Sequence, residues 1–173
     1  MERNIVTGAN GAGKSFVARW MGAVRPEVPV VSFDAVKLTT GWAQRPRAEI
    51  EADLAEIVAR PRWILEGGPS LLALALPRAQ AVIWLDPPDW LRGVRLAWRP
   101  LRHLGRTRPE IPAGNRDWPH RQYRFAMRSL RAGARFRAGI TAALGEAGDL
   151  PVWRCRTARE VQEAVDAWAD LGA

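Results

Sequence analysis

Gly8-Ala9-Asn10-Gly11-Ala12-Gly13-Lys14-Ser15 has the spacing of a phosphate-binding loop, G-x-x-x-x-G-K-[ST]. Glycine in such a loop lets successive backbone N–H groups turn inward around phosphate oxygens with no side chain in the way. Lys14 is then expected to neutralise the β and γ phosphates of ATP, and the Ser15 hydroxyl to ligate Mg²⁺. The same chemistry needs a carboxylate that holds the Mg²⁺ through its water shell from the end of a neighbouring strand. Glu66 and Asp86 both close apolar runs, and either residue type also caps helices. Gly67-Gly68 after Glu66 are poor helix starters, whereas Asp86 precedes Pro87-Pro88, so Glu66 is preferred for the metal. Asp34 closes another run, where a doubly wound sheet presents substrate groups; its carboxylate suits a general base toward an attacking hydroxyl, or the cap of a short turn. Arg45 and Arg47 follow in a loop and are candidates to grip an anionic substrate, while His103 and His120 lack metal-ligand spacing.

These groups need elements to hold them. Arg3-Asn4-Ile5-Val6-Thr7 predicts a buried strand before the loop, and Phe16, Val17, Trp20, Met21 and Val24 predict one apolar face of the helix after it. Val28 to Phe33 predicts a second strand, and Ile50, Leu54, Ile57 and Val58 a helix stopped near Pro61. Trp63 to Glu66, Ala81 to Asp86 and Pro151 to Trp153 predict three more strands. The last precedes a helix with Thr157 and Glu160 at capping-box spacing and Val161, Val165 and Trp168 facing inward. Five short apolar strands alternating with helices imply an α/β fold whose parallel sheet is covered on both faces, in one domain over residues 1–173.

Residues 87–137 break the rhythm and carry all the excess charge: thirteen arginines against three acids, where the whole chain carries a net +8. Leu91, Val94, Trp98 and Leu101 suggest an apolar helical stripe with Arg92, Arg95, Arg99, Arg102 and Arg106 one residue out of phase, and Pro100 is expected to kink or end that helix. Tyr123, Met127, Leu130 and Ala134 repeat the pattern beside Arg121, Arg124, Arg128, Arg131 and Arg135. Between the helices, His103 to Pro119 is irregular, so an Arg-rich lid over about 88–137 is expected. Arginine clusters of this kind favour phosphates or a polyanion as partner. Of the nine tryptophans, Trp20, Trp63, Trp84, Trp98 and Trp168 fall at core-facing positions.

The single Cys155 precludes an intrachain disulfide, and no apolar run reaches the ~20 residues that span a bilayer, so no membrane contact and a cytoplasmic location are expected. Strand and loop fill the first fifteen residues, which makes a cleaved leader unexpected. Asn-Lys-x-Asp and Asp-x-x-Gly sequences do not occur, which sets GTPase switching aside.

On these residues the chain resembles the adenylate-kinase-like group of P-loop kinases, and within it the family of DNA topology modulation proteins. The general likeness is the loop Gly8 to Ser15, Leu65-Glu66-Gly67-Gly68-Pro69 and Asp86-Pro87-Pro88 with lid arginines beyond. The more specific likeness is Ser32-Phe33-Asp34 with Gly41-Trp42, and Gly105-Arg106-Thr107-Arg108-Pro109-Glu110 with Ile111-Pro112. The resemblance implies a three-layer P-loop fold with a five-stranded parallel sheet in the order 2-3-1-4-5 and a closing lid. It makes Glu66 the Mg²⁺-water carboxylate, and Arg92, Arg95, Arg106 and Arg108 the phosphate clamp. Ser70 stands where adenylate kinases carry a substrate-binding arginine, which argues against AMP as acceptor. The expected function is an ATP- and Mg²⁺-dependent phosphotransferase acting on a nucleoside, a nucleotide or another small hydroxyl or phosphate acceptor. The alternative is an ATP-gated nucleic-acid-binding protein affecting DNA topology.

Overall fold

The structure, a computed structural model, describes residues 1–102, 111–115 and 118–171. Its strands are β1 (Arg3–Gly8), β2 (Val30–Ser32), β3 (Trp63–Gly67), β4 (Ala81–Leu85) and β5 (Val152–Cys155). They form one sheet in the order β2-β3-β1-β4-β5, every pair parallel. This is the order that the resemblance implies. Strand β1 lies between β3 and β4, and the carboxyl ends of these strands frame the crevice where such sheets bind ligands.

Period-two alternation divides the apolar strand residues between two cores. Ile5, Trp63, Leu65, Val82 and Trp84 point to the face covered by α2 (Phe33–Lys37), α3 (Arg47–Ala59), α4 (Leu72–Ala75) and α7 (Gly133–Gly145). Val6, Ile64, Ile83 and Leu85 point to the face covered by α1 (Lys14–Val24) and α8 (Ala158–Asp170). Helix α8 starts as its sequence suggests: the Thr157 side chain accepts from Glu160 N–H while Glu160 reaches back to the cap, and Val165 and Trp168 are buried. No helix among the described residues is long and apolar enough to cross a membrane.

Several expectations shift by a residue or more. The second strand is only Val30–Ser32, and Phe33-Asp34 already open α2. On α1 the buried face is Val17, Ala18 and Met21, leaving Phe16 exposed. The larger correction concerns α5 (Asp89–Arg102) and α6 (Pro119–Arg131). Pro100 lies buried inside the last turns of α5 rather than ending it. The buried face of α5 is Arg92, Leu96 and Pro100, and Trp98, expected in the core, is 63% exposed. On α6 the buried face is Gln122, Ala126 and Ser129, with Tyr123 and Met127 outside. The reason is polar: Arg92 is drawn inward by backbone carbonyls that only the folded loop and α6 supply, and this rotates the apolar stripe to solvent.

Candidate active site

Gly11 and Gly13 shape the loop between β1 and α1. Gly13 has φ 104 immediately before α1, a conformation that L side chains rarely adopt. Gly11 has φ 81 and lies so close to α5 that a Cβ would sit 2.9 Å from Leu96 Cγ and 3.0 Å from the Arg92 carbonyl. The first N–H groups of α1, on Lys14 and Ser15, have no helical carbonyl behind them, the property that makes a helix N-terminus suited to an anion. Lys14 Nζ donates to the Ala9 carbonyl across the loop at 3.3 Å. Burial pushes its ammonium below the ordinary 10.5, with Glu66 and Asp34 pulling the other way.

Glu66 is buried near the end of β3, and its Oε1 accepts from Ser15 Oγ at 3.2 Å and from Ser32 Oγ at 2.7 Å. This set of hard oxygens suits Mg²⁺, which takes one or two carboxylates and completes its shell with water and phosphate. Among the described residues no three of His, Cys, Asp and Glu gather to hold a metal, and a Mg²⁺ carried by a nucleotide does not require it. Asp34, on the first turn of α2, is half-exposed and paired with Lys37 Nζ at 2.9 Å.

Asp86, the other strand-end carboxylate, faces elsewhere. It takes a fork from Arg154, with Nε at 3.0 Å, and Arg137 approaches to 3.8 Å. It neither opens α5, which starts at Asp89, nor joins the cavity at Lys14. Asp86→Ala is expected to cost about 1 kcal/mol in urea unfolding, because Arg154 can turn to water, and to leave turnover within twofold. A loss of turnover would move the metal carboxylate from Glu66 to Asp86. Arg45 pairs with Asp53 and Glu49, and Arg47 with Glu51, so both serve helix α3.

Arg92 and Arg95 come from one helix to different ends. Arg92 is 1% exposed; its Nε donates to the Asn10 carbonyl at 3.0 Å, its Nη2 to the Ser129 carbonyl at 3.2 Å, and its Nη1 to Asp89. It thus ties the loop to α6 from behind, and Asn10 Nδ2 repeats the tie to Ser129 Oγ at 3.0 Å. Arg95 Nη1 donates to the Ala12 carbonyl at 2.8 Å and lies over Gly13, at the rim of the hollow. Arg106 and Arg108, named by the resemblance, lie outside the described residues. Arg92→Met is expected to destabilise the fold by about 2–4 kcal/mol in urea unfolding, because two carbonyls lose this donor and Asp89 keeps only Arg137. An unchanged midpoint would deny the tie.

Asp89 adds a pH signature to this anchor. The Arg137 fork, with Arg92 beside it, holds its carboxyl down at about 2. The group therefore favours the native state above its ordinary 3.8, and that contribution disappears as pH falls through about 2.

Four of the cavities in the described structure border this loop. The central one, about 290 Å³, is lined by Lys14, Ser15, Asp34, Glu66, Arg95 and Arg99 among others. An apolar one of about 710 Å³ runs from Ala12, Gly13 and Arg95 past Phe16 and Trp20 to Arg156, Thr157, Ala158 and Val161. On the opposite side, cavities of about 540 and 510 Å³ share Asn10, Asp34 and Lys37 and reach α6 and α7. The sequence reading gave Thr157 a capping role only and missed the 710 Å³ cavity. Its walls come from four separate stretches of chain, and the one available signal was the loop after β5 at the carboxyl edge of the sheet.

Solved structures of P-loop kinases share this fold over nearly their whole length. Shikimate kinase from Bacteroides thetaiotaomicron is 17% identical with a TM-score of 0.56, covering 98% of this chain and 97% of that one. Shikimate kinase from Acinetobacter baumannii, solved with shikimate, is 14% identical with a TM-score of 0.55, covering 99% and 92%. A gluconokinase from Sinorhizobium meliloti is 15% identical with a TM-score of 0.55, covering 98% and 94%. The class defined by fold is therefore the small P-loop kinase architecture. No protein-family profile matches the chain, and no curated protein matches its sequence.

Proposed function

We propose that the protein is a cytoplasmic ATP- and Mg²⁺-dependent phosphotransferase acting on a small hydroxyl or phosphate acceptor, a nucleoside or nucleotide among them. The observation that carries this reading is the convergence of Lys14, Ser15, Glu66 and Asp34 on one cavity, with a larger space opening on either side. Bound ATP with Mg²⁺ would supply the phosphoryl group and the charge neutralisation that such transfers need. Gly8, Ala9, Asn10, Gly11, Ala12 and Gly13 would cradle the phosphates, with Lys14 as their cation and Arg95 at the rim. Ser15 and Glu66 would hold the metal, Glu66 through water. The 710 Å³ cavity, with its apolar walls and the polar edge of Thr157 and Gln162, suits a nucleobase. Asp34 would take the proton from an acceptor hydroxyl, with Lys37 fixing the carboxylate. Arg92 then acts as a positioning residue behind the loop. Within these kinases, Ser32-Phe33-Asp34 and Gly105 to Pro112 support a relationship to DNA topology modulation proteins.

A screen of nucleosides, nucleotides and small polyols for acceptor-dependent ADP release tests this reading. Release stimulated at least tenfold by one class is the expected result, and no stimulation by any class would sink it. Exposed Trp90 and Trp98 beside the arginines of α5 and α6 favour the second reading, ATP-gated nucleic-acid binding. It predicts DNA binding that weakens steeply between low and physiological salt, in proportion to the phosphates neutralised.

A further inference from the structure

We infer that the acceptor is a ring-bodied small anion, its ring lying against the Trp42 indole and its carboxylate or phosphate held by Arg121 and Arg128. This rests on the phosphotransferase reading and names the substrate class for it. The 540 Å³ cavity that adjoins Asp34 is walled by Lys37, Trp42, Arg99, Arg121, Phe125 and Arg128. Among the described residues that line it, Asp34 is the one carboxylate and is paired with Lys37, so Arg121 and Arg128 add positive charge that a bound anion would offset. Several arginines elsewhere are paired with acids: Arg45 with Asp53, Arg60 with Glu56, Arg137 with Asp89 and Arg154 with Asp86. Arg121 and Arg128 sit seven residues apart on α6, on one helix face, with no carboxylate partner among the described residues. Guanidinium forks of this kind suit planar carboxylates and phosphates.

The opposite wall is built for a ring. Trp42 has φ 65, the only positive φ outside glycine among the described residues. Strain of this kind persists only where surrounding contacts over-determine it, and it gathers at ligand clamps. Here the clamp is Asn115, fully buried: its Oδ1 accepts from Trp42 N–H, and its Nδ2 donates to the Thr39 carbonyl at 2.9 Å and the Pro112 carbonyl at 3.0 Å. Thr39 N–H closes the same loop on the Ala43 carbonyl at 2.8 Å. The backbone that carries Trp42 is thereby fixed where Trp42 lines the cavity, while Phe125, with the Arg99 guanidinium 5.7 Å from its ring centroid, lines another part of it. The volume admits one ring compound and excludes a polymer duplex.

The test is equilibrium binding on the full chain saturated with ADP and Mg²⁺, using matched pairs: a nucleoside 5′-monophosphate with its parent nucleoside, and a cyclic hydroxy acid with its methyl ester. The charged member of at least one pair is expected to bind tenfold or more tightly than its neutral partner, and which pair responds separates phosphate from carboxylate. Arg121→Gln and Arg128→Gln should each reduce that preference at least threefold. Trp42→Ala should weaken the charged ring compound about tenfold, with Trp42→Phe restoring most of the loss. Equal binding of charged and neutral members, no saturable binding of either anion at millimolar concentration, or a preference that survives both arginine changes would overturn the proposal. Preferred anion binding without ADP release in the acceptor screen would instead uphold this site and defeat the phosphotransferase reading.

Discussion

Lys14→Met is expected to lower phosphoryl transfer by about 10³-fold or more while raising the unfolding midpoint. The loss follows from removing the one cation set inside the loop, since charge placed where charge develops supplies most of the rate in such sites. The gain in stability follows from the cost of keeping that cation. Burial lowers the Lys14 pKa from 10.5, so the unfolded chain holds the proton more tightly than the native one. Native stability therefore carries a penalty at neutral pH that is relieved as pH rises through the lowered value. Methionine removes the penalty at every pH, so its unfolding midpoint in urea at pH 7 is expected above that of the wild type. The gap between variant and wild type should narrow as pH climbs toward 10.5. Steady-state ADP release and urea unfolding across pH 7 to 10 read both halves. A variant that loses activity and stability together would mean that Lys14 holds the loop rather than the phosphates.

Glu66→Gln should lower turnover about 10- to 100-fold and raise the Mg²⁺ needed for half-maximal rate by about tenfold, the usual size for a group that orders a metal's water shell. Glutamine keeps the shape and leaves an oxygen to accept from Ser15 and Ser32, so unfolding should move by less than about 1 kcal/mol. The charge alone is lost. A Mg²⁺ titration that overlays the wild type would remove Glu66 from the metal, whereas a large loss of stability would make it a structural link between β3, the loop and β2.

The loop was legible because its chemistry is local: glycine spacing, lysine and serine are contiguous, and the strand and helix on either side follow from simple periodicity. Glu66 was legible for a related reason, as a carboxylate at a strand end whose following glycines leave it no helix to cap. The sheet was equally open to reading, since residues such as Ile5 and Val6, or Ile83 and Trp84, must part to opposite faces once the chain is extended. The stripes on α5 and α6 misled. Amphipathic spacing says that one face is buried but assumes that the apolar face is the one, and Arg92 reverses this with acceptors that the sequence cannot show.

What the sequence determined alone was thus the parallel α/β class, the phosphate loop, its metal carboxylate candidate and the capped last helix, because each depends on residues within a few positions or on strict alternation. Tertiary structure decided the rest. It turned Arg92 inward, because the Asn10 and Ser129 carbonyls come together only when the loop meets α6. It gave Asp86 to Arg154, because β4 and β5 run side by side. It also set Asn115 against Trp42, 73 positions apart in the chain. Each is a polar contact between distant segments, and such a contact is specified by where the backbone has already gone, which no local pattern encodes.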